Sequence, residues 1–149
     1  PNLLGLRTLS KAFGMAGIRC GYCLGNKALI DVMYKGKSPY NLNVLTQKAA
    51  VIALKNREKL LDRLKTLNAE RHKMYKALRD MPLDSLYPTA SNFIYFETGK
   101  GEAIYEAMKE NGILIKFFKG NEAMPASIRL SIGTPEENRK VLEILKKVL

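Results

Sequence analysis

Ser10-Lys11-Ala12-Phe13-Gly14-Met15-Ala16-Gly17-Ile18-Arg19-Cys20-Gly21 places one lysine beside a hydroxyl, follows it with small residues, and sets an arginine eight positions on. A lysine attacks an aldehyde only as the free amine, and burial and cationic neighbours favour that form. Arg19 is a candidate neighbour, and its planar fork matches a phosphate dianion as a lysine's point charge does not. Thr8 and Ser10 add hydroxyl donors that a turn directs toward phosphate oxygens. Gly14, Gly17 and Gly21 are read as giving the backbone positive φ angles and a close approach to a ligand. The same residues also read as a strand, a glycine-rich turn and a solvated basic pair.

Outward from this run, Leu3 to Leu9 is expected as a buried strand, and Ile18 to Leu24 as a second strand ended by Gly25-Asn26. Asn26 then caps a helix over 27–35, Pro39 to Asn43 is an extended connector, and Asn43 caps a helix reaching Leu54. Leu60, Leu61, Leu64, Leu67, Met74, Tyr75 and Leu78 form a helical stripe that reads as a core-facing face. Beyond it, the spacing predicts a strand over 92–97, a helix over 102–111 stopped by Gly112, and a strand over 113–118. A polar loop over 119–125 leads into a strand over 127–132. Thr134-Pro135-Glu136-Glu137 is a capping-box sequence with proline at the first helical position, opening a helix to about Val148.

The chain has 149 residues, 46% of them hydrophobic, enough for an ordinary α/β domain with its own core. Its formal charge of +11 raises nucleic acid as a partner. The basic residues are dispersed, however, and Glu58, Asp62, Glu70 and Asp80 interrupt the most basic helix, so a solvated face is expected and no nucleic-acid partner. No run approaches the roughly 20 apolar residues of a membrane span and no signal-peptide pattern precedes the motif, so a cytoplasmic chain without a membrane partner is expected. Cys20 and Cys23 form a C-x-x-C pair, but no second Cys or His pair completes a zinc site, and both are expected as reduced thiols with no metal bound. His72, in a charged helical run, reads as a surface residue. Gly36-Lys37-Ser38 lacks the earlier glycine of a phosphate loop, because Asp31 stands there.

Leu6-Arg7-Thr8-Leu9-Ser10-Lys11-Ala12-Phe13-Gly14, with Ala16-Gly17-Ile18-Arg19-Cys20-Gly21-Tyr22, resembles the cofactor-lysine segment of class I/II aminotransferases of fold type I. Pro39 to Asn43, Ala90 to Ile94 and Ile128 to Thr134 resemble later motifs of the same superfamily in the same order, nearest to its histidinol-phosphate branch. The resemblance implies an α/β fold in which residues 1–56 are a remnant of a truncated large cofactor domain and residues 57–149 a complete small C-terminal domain. It also implies an excised or truncated piece of a longer polypeptide.

What the resemblance implies chemically is transamination with pyridoxal 5'-phosphate, between an amino donor and 2-oxoglutarate, in a homodimer. Lys11 would hold the cofactor and move the proton, while Arg19, Thr8 and Ser10 would anchor its phosphate. Arg129 would bind the substrate's anionic group, Asn92 would lie on the substrate side, and Tyr40 and Asn41 would belong to a loop reaching the partner subunit's site. Lys116 departs from the pattern, since many histidinol-phosphate enzymes have arginine there. An aromatic amino-acid aminotransferase, a threonine-phosphate decarboxylase and a non-catalytic basic α/β binding module are the alternatives. The parts of the superfamily that precede this segment, including the carboxylate on the pyridine nitrogen, are expected to be missing, leaving the piece alone inactive.

Overall fold

Local signals between Leu3 and Leu149 are met by a computed structural model that describes residues 2–149, the side chain of Leu60 excepted, so that member of the stripe and Pro1 lie outside the described residues. The chain forms two compact units, one extending to Leu64 and the other spanning Lys65–Leu149. The division falls inside one helix, while the junction expected at Asn56 lies at the end of the helix before it.

In the first unit, β1 (Leu4–Thr8) and β2 (Gly21–Gly25) pair antiparallel, with Leu4 opposite Gly25 and Thr8 opposite Gly21. The second strand therefore begins three residues later than expected from Ile18, because Ala16–Ile18 wind into a single 3-10 turn. Arg19 then reverses the chain with φ 53° and ψ 44°. Of the three motif glycines only Gly14 has positive φ, at 64°, so the left-handed corner assigned to Gly17 or Gly21 is made by the arginine instead. Gly21 serves a different end: a Cβ there would meet the Arg7 carbonyl oxygen at 2.9 Å, so the close pairing of β1 and β2 needs glycine. The strand expected to be buried is largely open, with Leu3 79% and Leu6 70% exposed. Leu9, Cys20 and Ala50 form the small core of this unit, packed by Phe13, Met15, Ile18 and Leu42.

Helices α1 (Lys27–Gly36) and α2 (Val44–Lys55) start where their caps require. Asn26 accepts from the Ala28 N–H at 2.9 Å and Asn43 from the Thr46 N–H at 2.8 Å. The buried Thr46 hydroxyl donates to the Ile18 carbonyl at 3.0 Å, tying α2 to the 3-10 turn.

The second unit contains the C-terminal part of α3 (Arg57–Arg79) and a four-stranded antiparallel sheet, ordered β3-β4-β6-β5. Its strands are β3 (Ser85–Leu86), β4 (Phe93–Glu97), β5 (Lys116–Phe118) and β6 (Ser127–Ser131), with α4 (Gly101–Glu110) and α5 (Pro135–Val148) between and after them. Alternation sends Ile94 and Phe96 of β4, and Ile128 and Leu130 of β6, into a core shared with Met74, Leu78, Ile104, Met108 and Leu145. The stripe on α3 is core-facing at Met74 and Leu78, but Leu61 is exposed. β3 has no two-residue signature that a pattern reading detects, and β5 is shorter than the expected 113–118 because only its last three residues find a partner in β6.

Helix ends in this unit follow their sequence cues. Gly112 has φ 73°, with its N–H bonded to Lys109 O at 3.0 Å and Ile113 N–H to Met108 O at 2.9 Å, the two bonds of a Schellman cap. At α5 the Thr134 hydroxyl accepts from the Glu137 N–H at 3.3 Å and the Glu137 carboxylate accepts from the Thr134 N–H at 2.7 Å. His72 is exposed, both cysteines are free, and no cluster of metal-ligating side chains occurs among the described residues. No described helix is long and apolar enough to cross a membrane.

The bonds from Thr134 hold the Glu137 carboxyl below the ordinary glutamate value of 4.5, and those from Lys73 and Asn138 do the same for Glu70. A carboxyl lowered by folding stabilises the fold above its unfolded pKa and loses that contribution as pH falls through the folded one. Urea unfolding of the chain should therefore show stability declining as pH drops below about 4.5. At neutral pH, Thr134→Ala should cost about 1 kcal/mol through the lost cap.

Candidate functional site

Thr8 ends β1 and begins a tight local network. Its hydroxyl oxygen accepts from the Ser10 N–H at 3.0 Å and lies 2.8 Å from the Ser10 hydroxyl and 3.3 Å from the Cys20 carbonyl. Thr8 and Ser10 are thus brought together on one side of the turn, ahead of Lys11. The turn closes through Gly14 N–H to Lys11 O at 3.0 Å and Met15 N–H to Leu9 O at 3.1 Å, with Leu9 buried beneath it at 1% exposure. Leu9 is the anchor: its N–H also bonds Cys20 O at 3.1 Å, so the turn at Met15 and the far end of the loop are both tied to one residue. Lys11 is exposed, so the burial expected around its amine is not supplied by the described residues.

Arg19 is held by its own turn. Its guanidinium donates to the Ala16 carbonyl at 3.0 Å, the same oxygen that accepts its backbone N–H at 3.3 Å. It borders an open groove with Arg7, Tyr22, Tyr34, Lys37 and Asn41. Lys11, Thr8 and Ser10 do not line this groove, whereas Asn41 does, its side-chain oxygen accepting from Lys37 Nζ at 3.1 Å. Tyr40, beside it in the connector, is 92% exposed. Among the described residues no carboxylate pairs with Arg7, Arg19 or Lys37, which leaves three cations and two phenols along one surface. Arg7, Tyr22 and Tyr34 escaped the pattern reading, and no local pattern marks them, since successive residues of both β1 and β2 line the groove.

Asn92 and Arg129 belong to the second unit. Asn92 is half-buried, and its carbonyl accepts from the Ile132 N–H at 2.9 Å. Arg129 is exposed on β6, with Tyr95 of β4 and Lys116 of β5 as its register partners on either side. The Arg129 guanidinium lies 5.5 Å from the Phe93 ring centroid and Lys116 Nζ 5.3 Å from that of Phe118. Tyr95 stands 5.5 Å from Tyr87 and 6.3 Å from Phe118, so an aromatic row runs across the strands beside the two cations. The Tyr95 hydroxyl bonds the Ser127 hydroxyl at 2.7 Å, and Tyr87 donates to Glu97 at 2.8 Å. That carboxylate pushes the Tyr87 phenol above its usual pKa. Neither Arg129 nor Lys116 has a carboxylate partner among the described residues. The direct opposition of the two cations is invisible along the chain, since they are 13 residues apart.

The donors of the first unit fit a phosphorylated aldehyde cofactor in kind: two adjacent hydroxyls, an exposed amine one residue on, and a guanidinium at a fixed left-handed corner. A family model described as aminotransferase class I and II matches residues 1–145. The chain belongs to the class I and II aminotransferase family. It is 38% identical over 149 residues to a histidinol-phosphate aminotransferase of Akkermansia muciniphila, covering 99% of the chain and 40% of that relative. Among solved structures, the histidinol-phosphate aminotransferase of Clostridium acetobutylicum matches with TM-score 0.80 and 26% identity, over 98% of the chain and 45% of that structure. The Sinorhizobium meliloti histidinol-phosphate aminotransferase, solved in complex with pyridoxal-5'-phosphate, matches with TM-score 0.77 and 25% identity, over all of the chain and 42% of that structure. This aminotransferase-family chain is therefore a mixed α/β part of a fold type I architecture, spanning about 40% of the length of the curated relatives it matches.

A left-handed backbone costs a residue with a Cβ about 1–2 kcal/mol, and a β-branched one more. Arg19→Gly should thus leave the urea midpoint unchanged or raise it, while Arg19→Val should lower stability by about 1–2 kcal/mol. Equal losses for the two would show that the side chain, not the corner, sets the cost.

Proposed function

We propose that this chain is part of a pyridoxal-phosphate aminotransferase whose amino donor carries a phosphate, histidinol phosphate, with 2-oxoglutarate as acceptor. One observation carries this reading: Arg129 and Lys116 are direct cross-strand partners without a carboxylate between them. Like charges opposite one another destabilise a sheet, so the pair is explained by an anion shared between the strands. A dianion profits most, and Arg129 supplies the two-pronged contact while Lys116 adds a point charge that tolerates several orientations. The aromatic row of Tyr87, Tyr95 and Phe118 beside them suits the flat ring of an imidazole-bearing substrate.

In the first unit, Arg19, Thr8 and Ser10 would hold the cofactor's phosphate and Lys11 its aldehyde carbon. The cofactor, when bound, supplies an electron sink for the pair left at the substrate Cα. Lys11 would be the group that takes and returns the substrate's Cα proton, acting as base and then acid. The Thr8–Ser10 network holds two hydroxyls together on the turn that leads into Lys11. Tyr40 and Asn41, on an exposed connector, would reach a partner subunit in a cytoplasmic homodimer. Residues 1–56 would then belong to the large domain and 57–149 to the small one. Because the chain spans about 40% of its relatives, we expect it by itself not to turn over.

The test uses the full-length polypeptide that carries this chain. Borohydride reduction after cofactor loading should attach the pyridoxyl group to Lys11, found by peptide mass spectrometry, and Lys11→Ala should abolish the label. Labelling elsewhere, or salt-sensitive nucleic-acid binding with no label, overturns the reading. Histidinol phosphate should outpace phenylalanine as donor, and Lys116→Gln should cost about tenfold in kcat/KM for the phosphorylated donor, about 1.4 kcal/mol. A preference for phenylalanine, or release of carbon dioxide, would instead assign an aromatic aminotransferase or a decarboxylase.

A further inference from the structure

Glu70 is 5% exposed, a carboxylate buried on α3 of a unit whose other acids lie mainly at the surface. It accepts from Asn138 Nδ2 at 3.0 Å and from Lys73 Nζ at 2.8 Å. Asn138, on α5 and itself 3% exposed, spends its remaining groups on one residue. Its Oδ1 accepts from the Gly133 N–H at 2.9 Å and its Nδ2 also donates to the Gly133 carbonyl at 3.1 Å. The next residue on α3, Arg71, sends one guanidinium nitrogen to the Ala90 carbonyl at 3.3 Å and the Ser91 carbonyl at 3.2 Å, braced by Asn68 at 2.9 Å. Two neighbours on one helix therefore grip two turns: the one before β4, which carries Asn92, and the one after β6, which carries Arg129. The turns are joined by the Ile132 N–H to Asn92 carbonyl bond at 2.9 Å.

We propose that Arg71 and the Glu70–Asn138 pair are positioning residues that hold the Ala90–Asn92 and Ile132–Thr134 turns in register, and so fix Asn92 and Arg129 relative to each other. This rests on the proposed substrate role of those two residues. A helix supplies the rigidity that turns lack. Charge-assisted bonds such as those of Arg71 and Glu70 are stronger than neutral ones, and Glu70 or Asn138 left unpaired at its buried position costs its full desolvation. Neither Arg71 nor Asn138 needs to touch a ligand for the effect.

The 149-residue chain itself is the sample, with inorganic phosphate as probe, amide hydrogen exchange by NMR as the local readout and urea midpoints as the check on folding. Arg71→Ala and Asn138→Ala should speed exchange at the Ile132 amide, which neither side chain contacts, by about tenfold, leaving Phe96 and Leu145 amides unchanged. Phosphate affinity should fall about fivefold in both. Glu70→Gln, which keeps an acceptor for Asn138, should stay within about twofold of the parent, whereas Glu70→Leu should behave like Asn138→Ala. Should the alanine variants unfold, Arg71→Lys and Asn138→Gln apply the same test more mildly, because each keeps the charge or the amide while displacing the original bonds.

An unmoved Ile132 amide overturns the proposal, as does faster exchange with unchanged phosphate affinity in a chain where Arg129→Gln weakens that affinity. If Arg129→Gln and Lys116→Gln leave phosphate binding unaltered, the anion-site reading fails, and the clamp is judged on the Ile132 amide alone.

Discussion

Antiparallel pairing of β6 with both of its neighbours is the constraint from which the second unit follows. With Arg129 opposite Tyr95 on one side and Lys116 on the other, Ile128 and Leu130 must point to the opposite face, where they meet Ile94, Phe96 and the helices. A slip of one residue would bury the guanidinium and expose the core. The apolar face thus enforces the register that sets two cations side by side, and the cost of their repulsion is borne by the burial beneath them. Stability and a candidate anion site are in this sense one arrangement.

The first unit works from a smaller anchor. Leu9 is buried at the start of a twelve-residue excursion, its backbone bonded to Met15 midway and to Cys20 at the far end, and it shares a small core with Cys20 and Ala50. The loop is thereby shaped without a large core. Its polar groups are left facing outward: the Thr8 and Ser10 hydroxyls, the Lys11 amine, and Arg19 at a corner that a side chain seldom adopts. Much of the remaining apolar surface of this unit, from Leu3 and Leu6 to Val44 and Leu45, is exposed.

Helix boundaries were the most legible part of the chain, because caps act within four residues. Asn26, Asn43, Gly112 and the Thr134–Glu137 box each mark an end that the backbone adopts. Strands were less so: β3 and the short β5 exist only because β4 and β6 offer unpaired edges, and the start of β2 was displaced by a 3-10 turn that no local pattern announces. At the candidate site, residue types were readable and their groupings were not. The motif named Lys11, Arg19, Thr8 and Ser10, but the hydroxyl pairing and the groove shared by Arg19 and Asn41 depend on how the loop folds back.

Residue chemistry, cap positions and the alternation of buried and open side chains were determined by the sequence alone, since each is a local property with a period or a spacing of a few residues. Tertiary structure decided which distant side chains meet. Lys116 opposite Arg129, Glu70 against Asn138 and Arg71 on the Ala90 and Ser91 carbonyls join segments 13 to 68 residues apart, through strand register and helix packing that leave no trace along the chain.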